Sequence, residues 1–130
     1  NYLKKLLQDA GYQAAYDRLC MHEFVLTLEQ LRRETGVSAL DIAKALLDYG
    51  MHPPTMYFPL IVHEALMIEP TETESMSSLR EAADVYAQVL RQAGEDPQAL
   101  HEKPLTTCVR RPDEVRAARS PVVKYEAELS

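Results

Sequence analysis

Apolar residues recur at the three- and four-residue spacing of an amphipathic helix in three stretches of the chain. The first stretch is residues 3–10. The second is residues 40–47, where Ser38 and Asp41 have the spacing of a capping box. Gly50 follows the second stretch at a position typical of a helix C-terminus. Both patterns predict helices that bury one face.

The third stretch, residues 79–93, is the longest and predicts a long helix. Ser78 and Glu81 suit a capping box at its start, and Gly94 is the expected stop. The preceding run of residues 71–75 is rich in acidic and hydroxyl residues and is expected to form the entry to this helix.

Two short apolar runs, Phe24–Leu26 and Ala65–Ile68, have the length and composition of buried strands. Residues 56–61 are expected to be extended, with Pro59 marking an edge or a bend because proline has no N–H to donate. Together with the helices, these strands predict a core that includes Ile42, Leu46, Leu66, Ile68, Leu79, Tyr86 and Val89.

The remaining segments are shorter. Residues 12–19 are expected to be a polar connection, and residues 29–34 and 98–102 short helical turns. From Lys103 onward, repeated prolines predict an extended tail, residues 103–130, that wraps over a surface. Helices packed on one face of a small, mostly antiparallel sheet make this an α+β fold.

The chain has 130 residues and a net charge of −6, from 20 acidic and 14 basic residues. This balance argues against a nucleic-acid-binding surface, which needs clustered positive charge. No apolar run is long enough to span a membrane, and no signal peptide is apparent. Cys20 and Cys108 are too far apart to form a metal-type pair, so we expect reduced thiols, no metal site and a cytoplasmic location.

Several long motifs occur in one order along the chain: Cys20–Leu26, Leu40–Gly50 and His52–Ser75, the last reading HPPTMYFPLIVHEALMIEPTETES. They resemble the C-terminal region of glycine dehydrogenase (decarboxylating), the P-protein of the glycine cleavage system. The similarity is greatest to subunit 2 of the two-subunit form, and it runs from Asn1 to about Tyr125.

This resemblance implies that residues 1–130 are a single C-terminal domain, cut from a longer chain, of a fold-type I pyridoxal-phosphate enzyme. It implies that the parent enzyme decarboxylates glycine through pyridoxal phosphate and transfers the aminomethyl group to the lipoyl group of H-protein. The implied partners are the large cofactor-binding domain of the same chain, subunit 1 of the P-protein and lipoylated H-protein. The cofactor lysine belongs to the large domain, so this piece is expected to bind no cofactor, to hold no catalytic residue and to be inactive alone.

Four residues are expected to contribute to a wall of the substrate pocket: His52, Thr55, Tyr57 and Glu72. His52 and Thr55 lie in a proline-rich loop, and loops on rigid scaffolds often carry function. The alternatives are a plain helix stop for the loop and a helix cap for the acidic run around Glu72. The strand Ala65–Ile68 has no arginine to hold a substrate carboxylate, so only neutral or weakly polar groups are expected near glycine.

Two further expectations concern the surface. A domain belonging to a larger enzyme should expose apolar residues where its neighbours dock; the candidates are Tyr2, Tyr57, Phe58 and residues 122–125. No lysine is expected in a desolvated pocket, because the pattern places all five on polar faces or in loops: Lys4, Lys5, Lys44, Lys103 and Lys124.

The tail departs from the family pattern at two positions, since Leu105 and Cys108 flank Thr106–Thr107 where the family usually has His-Thr-Thr-Pro. Any role of that histidine is therefore open here. The alternative to the enzyme is a stand-alone α+β module that binds another protein or a small ligand.

Overall fold

The computed structural model describes residues 1–125. Six helices and four strands lie along them, and their bounds are α1 (Tyr2–Asp9), β1 (Gln13–Ala14), β2 (Phe24–Thr27), α2 (Glu29–Thr35), α3 (Ala39–Asp48), β3 (Thr55–Met56), β4 (Ala65–Ile68), α4 (Met76–Glu95), α5 (Pro97–His101) and α6 (Glu114–Arg119).

The four strands form one antiparallel sheet in the order β1-β2-β4-β3. Phe24 lies opposite Ile68, and Leu26 lies opposite Leu66. Because side chains alternate between the faces of a strand, these four residues share one face. They belong to a single core with buried residues of α1, α3, α4 and α5. The expected α+β fold is therefore confirmed.

The predicted core is largely confirmed. Leu66, Leu46, Ile42 and Val89 are fully buried. Ile68 and Tyr86 are also buried. Leu79 is the exception: it is only half-buried and packs at the edge of the core. It lies in the first turn of α4 and lines a cleft.

The predicted ends of the long helix are wrong. Helix α4 begins at Met76, because the Ser75 hydroxyl oxygen accepts a hydrogen bond from the Ser78 backbone N–H at 3.1 Å. The cap therefore lies one turn earlier than expected. The helix also continues past Gly94 to Glu95. It ends only before Pro97, which cannot continue the hydrogen-bond pattern.

The expected extended segment at residues 56–61 is also wrong. Strand β3 ends at Met56, and Tyr57 has a φ of 60°, which turns the chain away from the sheet. The turn is held where it rejoins β4: the Glu64 carboxylate accepts the Ala39 backbone N–H at 2.7 Å and pairs with Arg32. The sequence does not show these long-range contacts.

The region around residues 12–19 is more than a polar connection. It contains β1, and Tyr12 is buried with its hydroxyl group donating to the Tyr86 carbonyl oxygen at 2.9 Å. Lys4 is likewise buried, contrary to the expectation for the lysines. Its Nζ atom donates to the carbonyl oxygens of Tyr16 at 2.7 Å and Arg18 at 2.8 Å, which fixes the loop that leads to β2.

No helix among residues 1–125 has both the length and the apolar character needed to cross a membrane.

Candidate functional site

A cleft of about 650 Å³ opens beside the end of β4. One wall is the segment that follows α3, and the opposite wall is the first half of α4. Leu3 of α1 and Met67 of β4 form a portion of its apolar lining. The cleft thus lies where α1, the segment after α3, β4 and α4 meet.

The wall that follows α3 is fixed by local backbone chemistry. Gly50 has a φ of 71°, and the Met51 N–H donates to the Leu46 carbonyl oxygen at 3.1 Å, an arrangement that ends a helix sharply. Two prolines then prevent the helix from resuming. Thr55 lies opposite Met67 in the sheet, so both side chains are on one face and reach the same cleft.

The polar lining of the cleft is acidic. Glu69, Glu74 and Glu81 contribute carboxylates, and among the described residues that line the cleft there is no lysine or arginine. The sequence pattern did not predict this set. The sequence did contain a pattern for the α4 wall of the cleft. Ser78, Glu81, Ala82 and Val85 follow helical spacing and therefore lie on one face of α4.

The structure brings together only two of the four expected wall residues. His52 and Thr55 both line the cleft, in the segment that follows α3. Tyr57 and Glu72 lie outside the lining. Tyr57 is 41% exposed at the start of the turn after β3, and Glu72 is exposed ahead of α4.

A second cluster of polar contacts fixes the start of the tail to α3. The Asp48 carboxylate accepts hydrogen bonds from the Leu105 and Thr106 backbone N–H groups and the Thr106 hydroxyl group, at 2.8–2.9 Å, and pairs with Lys103 at 3.0 Å. Burial raises the pKa of Asp48, but these donors outweigh it and lower the pKa to about 2. Asp48 is therefore ionised throughout the neutral range.

Asp41 makes similar contacts on α3, in the first turn of the helix. It is buried, forms the capping box with Ser38, and pairs with His101 at 3.3 Å and with Arg111 at 2.7 Å. Burial raises its pKa, whereas the hydrogen bonds from Ser38, Arg111 and His101 lower it, and the net result is a lowered pKa. The predicted capping box is confirmed, and its aspartate has a second role that the sequence did not indicate.

Leu105 and Cys108 differ from the usual family pattern, and the contact of the tail with Asp48 is still formed. Leu105 contributes its backbone N–H to Asp48, so that contact does not depend on which side chain is present. The Leu105 side chain is 45% exposed, and Cys108 is exposed with a free thiol.

The apolar residues expected at the surface are exposed: Tyr2, Tyr57, Phe58 and residues 122, 123 and 125. Leu60 and Ile61 extend the exposed group in the turn after β3. No group of three or more His, Cys, Asp or Glu side chains within residues 1–125 is placed to hold a metal ion.

Comparison with known proteins gives consistent matches. Residues 1–106 match the family model described as "Glycine dehydrogenase, C-terminal domain". A protein of Treponema denticola is 61% identical over 98% of this chain, and one of Thermosipho melanesiensis is 56% identical over 98%. A protein of Listeria innocua is 50% identical over 99%. All three are named "Probable glycine dehydrogenase (decarboxylating) subunit 2", and this chain spans 26% of the length of each.

Proposed function

We propose a function on the basis of the family of this chain. The chain belongs to the glycine dehydrogenase C-terminal domain family. We infer that it is the C-terminal domain of subunit 2 of a glycine dehydrogenase (decarboxylating), and that it closes one side of the substrate cleft in the parent enzyme. The observation that carries this proposal is the family match over residues 1–106, which includes α1 to α5 and the contacts of Asp48 with the tail. The relatives' names support this function and give no support to a stand-alone binding module.

The reaction of the parent enzyme belongs to the same proposal. It would decarboxylate glycine with pyridoxal phosphate and pass the aminomethyl group to the lipoyl group of H-protein. Its immediate partners would be the large cofactor-binding domain of the same chain and the other subunit that the name "subunit 2" implies for the relatives. Both cysteines are free thiols, which supports a cytoplasmic location because disulfides are rare there.

The cleft alone does not fit pyridoxal phosphate. A phosphate group needs cationic side chains or clustered backbone N–H donors. The polar lining here contains three glutamates and, within the described residues, no lysine or arginine. We therefore assign the cofactor to the region of the parent protein outside this chain, and we assign no reaction step to this chain's residues.

The lack of an arginine in the described part of the cleft wall is compatible with decarboxylation. An arginine that made a bidentate ion pair with the substrate carboxylate would stabilise the ground state strongly. Because carbon dioxide is neutral, that stabilisation fades as the bond breaks, and the barrier rises. His52 and Thr55 instead offer hydrogen-bonding groups without a permanent positive charge. We propose that they help to position substrate in the assembled enzyme.

The proposal is tested with the full-length parent protein, its partner subunit, pyridoxal phosphate and lipoylated H-protein. Glycine-dependent release of carbon dioxide is expected. His52→Ala and Thr55→Ala should each reduce kcat/KM by about tenfold or more, since small errors of position have large kinetic effects. Gln98→Ala, at an exposed site on α5, is the matched control and should not change the rate. No glycine-dependent release from the wild-type assembly would refute the proposed function.

A second variant tests the argument about the missing arginine. Met67 and Ile68 both line the cleft, but Met67 is half-buried whereas Ile68 is buried in the core, so Met67→Arg is the more informative change. We expect Met67→Arg to slow decarboxylation when a substrate-analogue structure shows the new guanidinium group on the carboxylate. Undiminished turnover with that contact in place would contradict the argument.

A further inference from the structure

The C-terminal arm, defined here as residues 109–125, exposes large apolar side chains to solvent. Helix α6 within it has no buried residue. Five large apolar side chains of the arm are between 61% and 93% exposed: Val109, Val115, Val122, Val123 and Tyr125. Such a concentration of exposed apolar residues on one short segment is typical of a surface that is covered in the assembled protein.

The base of the arm, in contrast, is rigidly held. Arg111 pairs with Asp41 at 2.7 Å, and its Nε atom donates to the Lys103 carbonyl oxygen at 2.6 Å. Its Nη2 atom also donates to the Leu100 carbonyl oxygen at 3.1 Å. The direction in which the arm leaves the body is therefore fixed, which reduces the entropy that docking would cost.

The arm is also basic, although the whole chain has a net charge of −6. Within the described residues of the chain, Arg110, Arg116 and Arg119 form no ion pair with another residue. In α6, Val115 and Ala118 are three residues apart and share one side, while Arg116 and Arg119 share another. The arm thus offers an apolar stripe beside unpaired positive charge.

We propose that the arm docks, through this apolar stripe and these arginines, onto an acidic surface with an apolar groove in the upstream region of the same polypeptide. This inference rests on the proposed function, in which this chain is the C-terminal portion of a protein about four times as long, as its relatives are. The size of the arm favours a tethered occupant. Stable complexes between separate proteins use roughly 20–30 residues a side, more than the arm supplies, whereas a covalently linked surface has an effective concentration in the millimolar range.

Trypsin cleavage after Arg119 in the native full-length protein, without the partner subunit, tests the docking. A synthetic peptide of residues 109–125 provides the rate for an undocked arm. We expect cleavage in the protein to be at least about tenfold slower than in the peptide, because cleavage follows the population of the open form. Raising the salt concentration should speed cleavage, since the arginine contacts are screened.

Variants identify the contacts. Val115→Glu and Arg116→Glu should each restore the cleavage rate of the corresponding variant peptide. Arg91→Glu reverses the charge of an exposed arginine on α4 and should leave the protection unchanged. Equal rates in protein and peptide would overturn the proposal. So would protection that appears only with the partner subunit, or only with rising concentration, since these outcomes assign the arm to the other subunit or to a second copy. Cleavage is measured without glycine turnover, so a protected arm in an inactive protein would count against the proposed function alone.

Discussion

The Asp48 carboxylate accepts two hydrogen bonds from Thr106, one from its backbone N–H and one from its hydroxyl group, both at 2.8 Å. The two residues are far apart in sequence, and this contact fixes the start of the tail to the C-terminal end of α3. Asp48 is directly followed by the segment that lines the cleft. The wall of the cleft and the path of the tail therefore share one anchor.

Asp48→Asn should destabilise the isolated chain by about 1.5–3 kcal/mol, the usual range for hydrogen bonds to a charged group. The pH dependence should change as well. Folding lowers the Asp48 pKa to about 2, so the unfolded chain binds more protons between about pH 4 and pH 2. The free energy of unfolding should therefore decrease as the pH is lowered from about 4 to about 2. This decrease should be less steep in Asp48→Asn. Urea denaturation from pH 7 to pH 2 measures both effects, and identical slopes would contradict the assignment.

Lys4→Met should destabilise the chain by about 1–2 kcal/mol, because two carbonyl oxygens lose their donor in a partly buried site. Lys5→Met is the matched control. Lys5 is adjacent but exposed, and its ion pair with Asp9 lies on the helix surface, so its loss should cost about 0.5 kcal/mol or less. Chemical denaturation of both variants decides the matter. Equal effects would mean that the burial of Lys4 contributes nothing to stability.

Leu66→Ala should cost about 2–5 kcal/mol, from lost transfer free energy plus the cavity left in the core. Leu66 is fully buried opposite Leu26 in the central strand pair. Met67→Ala, one residue along on the face that reaches the cleft, should cost clearly less because Met67 is half-buried. Denaturation curves compare the two, and a loss below about 1 kcal/mol for Leu66→Ala would contradict this packing of the core.

The isolated chain should acquire no stoichiometric pyridoxal phosphate adduct on any one lysine. Lys4 donates to two carbonyl oxygens and Lys103 pairs with Asp48, while no lysine lines the cleft among the described residues. Borohydride reduction in the presence of the cofactor, followed by mass spectrometry, provides the measurement. A single lysine labelled to completion would contradict the assignment of the cofactor to another region of the protein.

Local signals in the sequence determined most of the secondary structure. Helical spacing located α1, α3 and α4, and the spacing of Ser38 and Asp41 gave the observed capping box. The short apolar runs gave β2 and β4. These features are predictable because they depend on residues within one or two turns of each other, and the family motifs are likewise read in order along the chain. His52 and Thr55 line the cleft, and their place in a wall of the substrate pocket stays a prediction.

The tertiary structure alone decided the features that depend on distant partners. Lys4 is buried because loop carbonyl oxygens lie beside it, and the turn after β3 is held because Glu64 reaches Ala39. The acidic cleft exists because α4 meets the segment after α3, which no local pattern encodes. In the sequence, Asp41 is recognisable as a capping-box residue and Asp48 as an ordinary helix residue, and neither indicates a contact with the tail. They anchor the tail only because folding brings Arg111 and Thr106 to them, and a hydrogen bond forms only between groups that the whole fold has placed within about 3 Å.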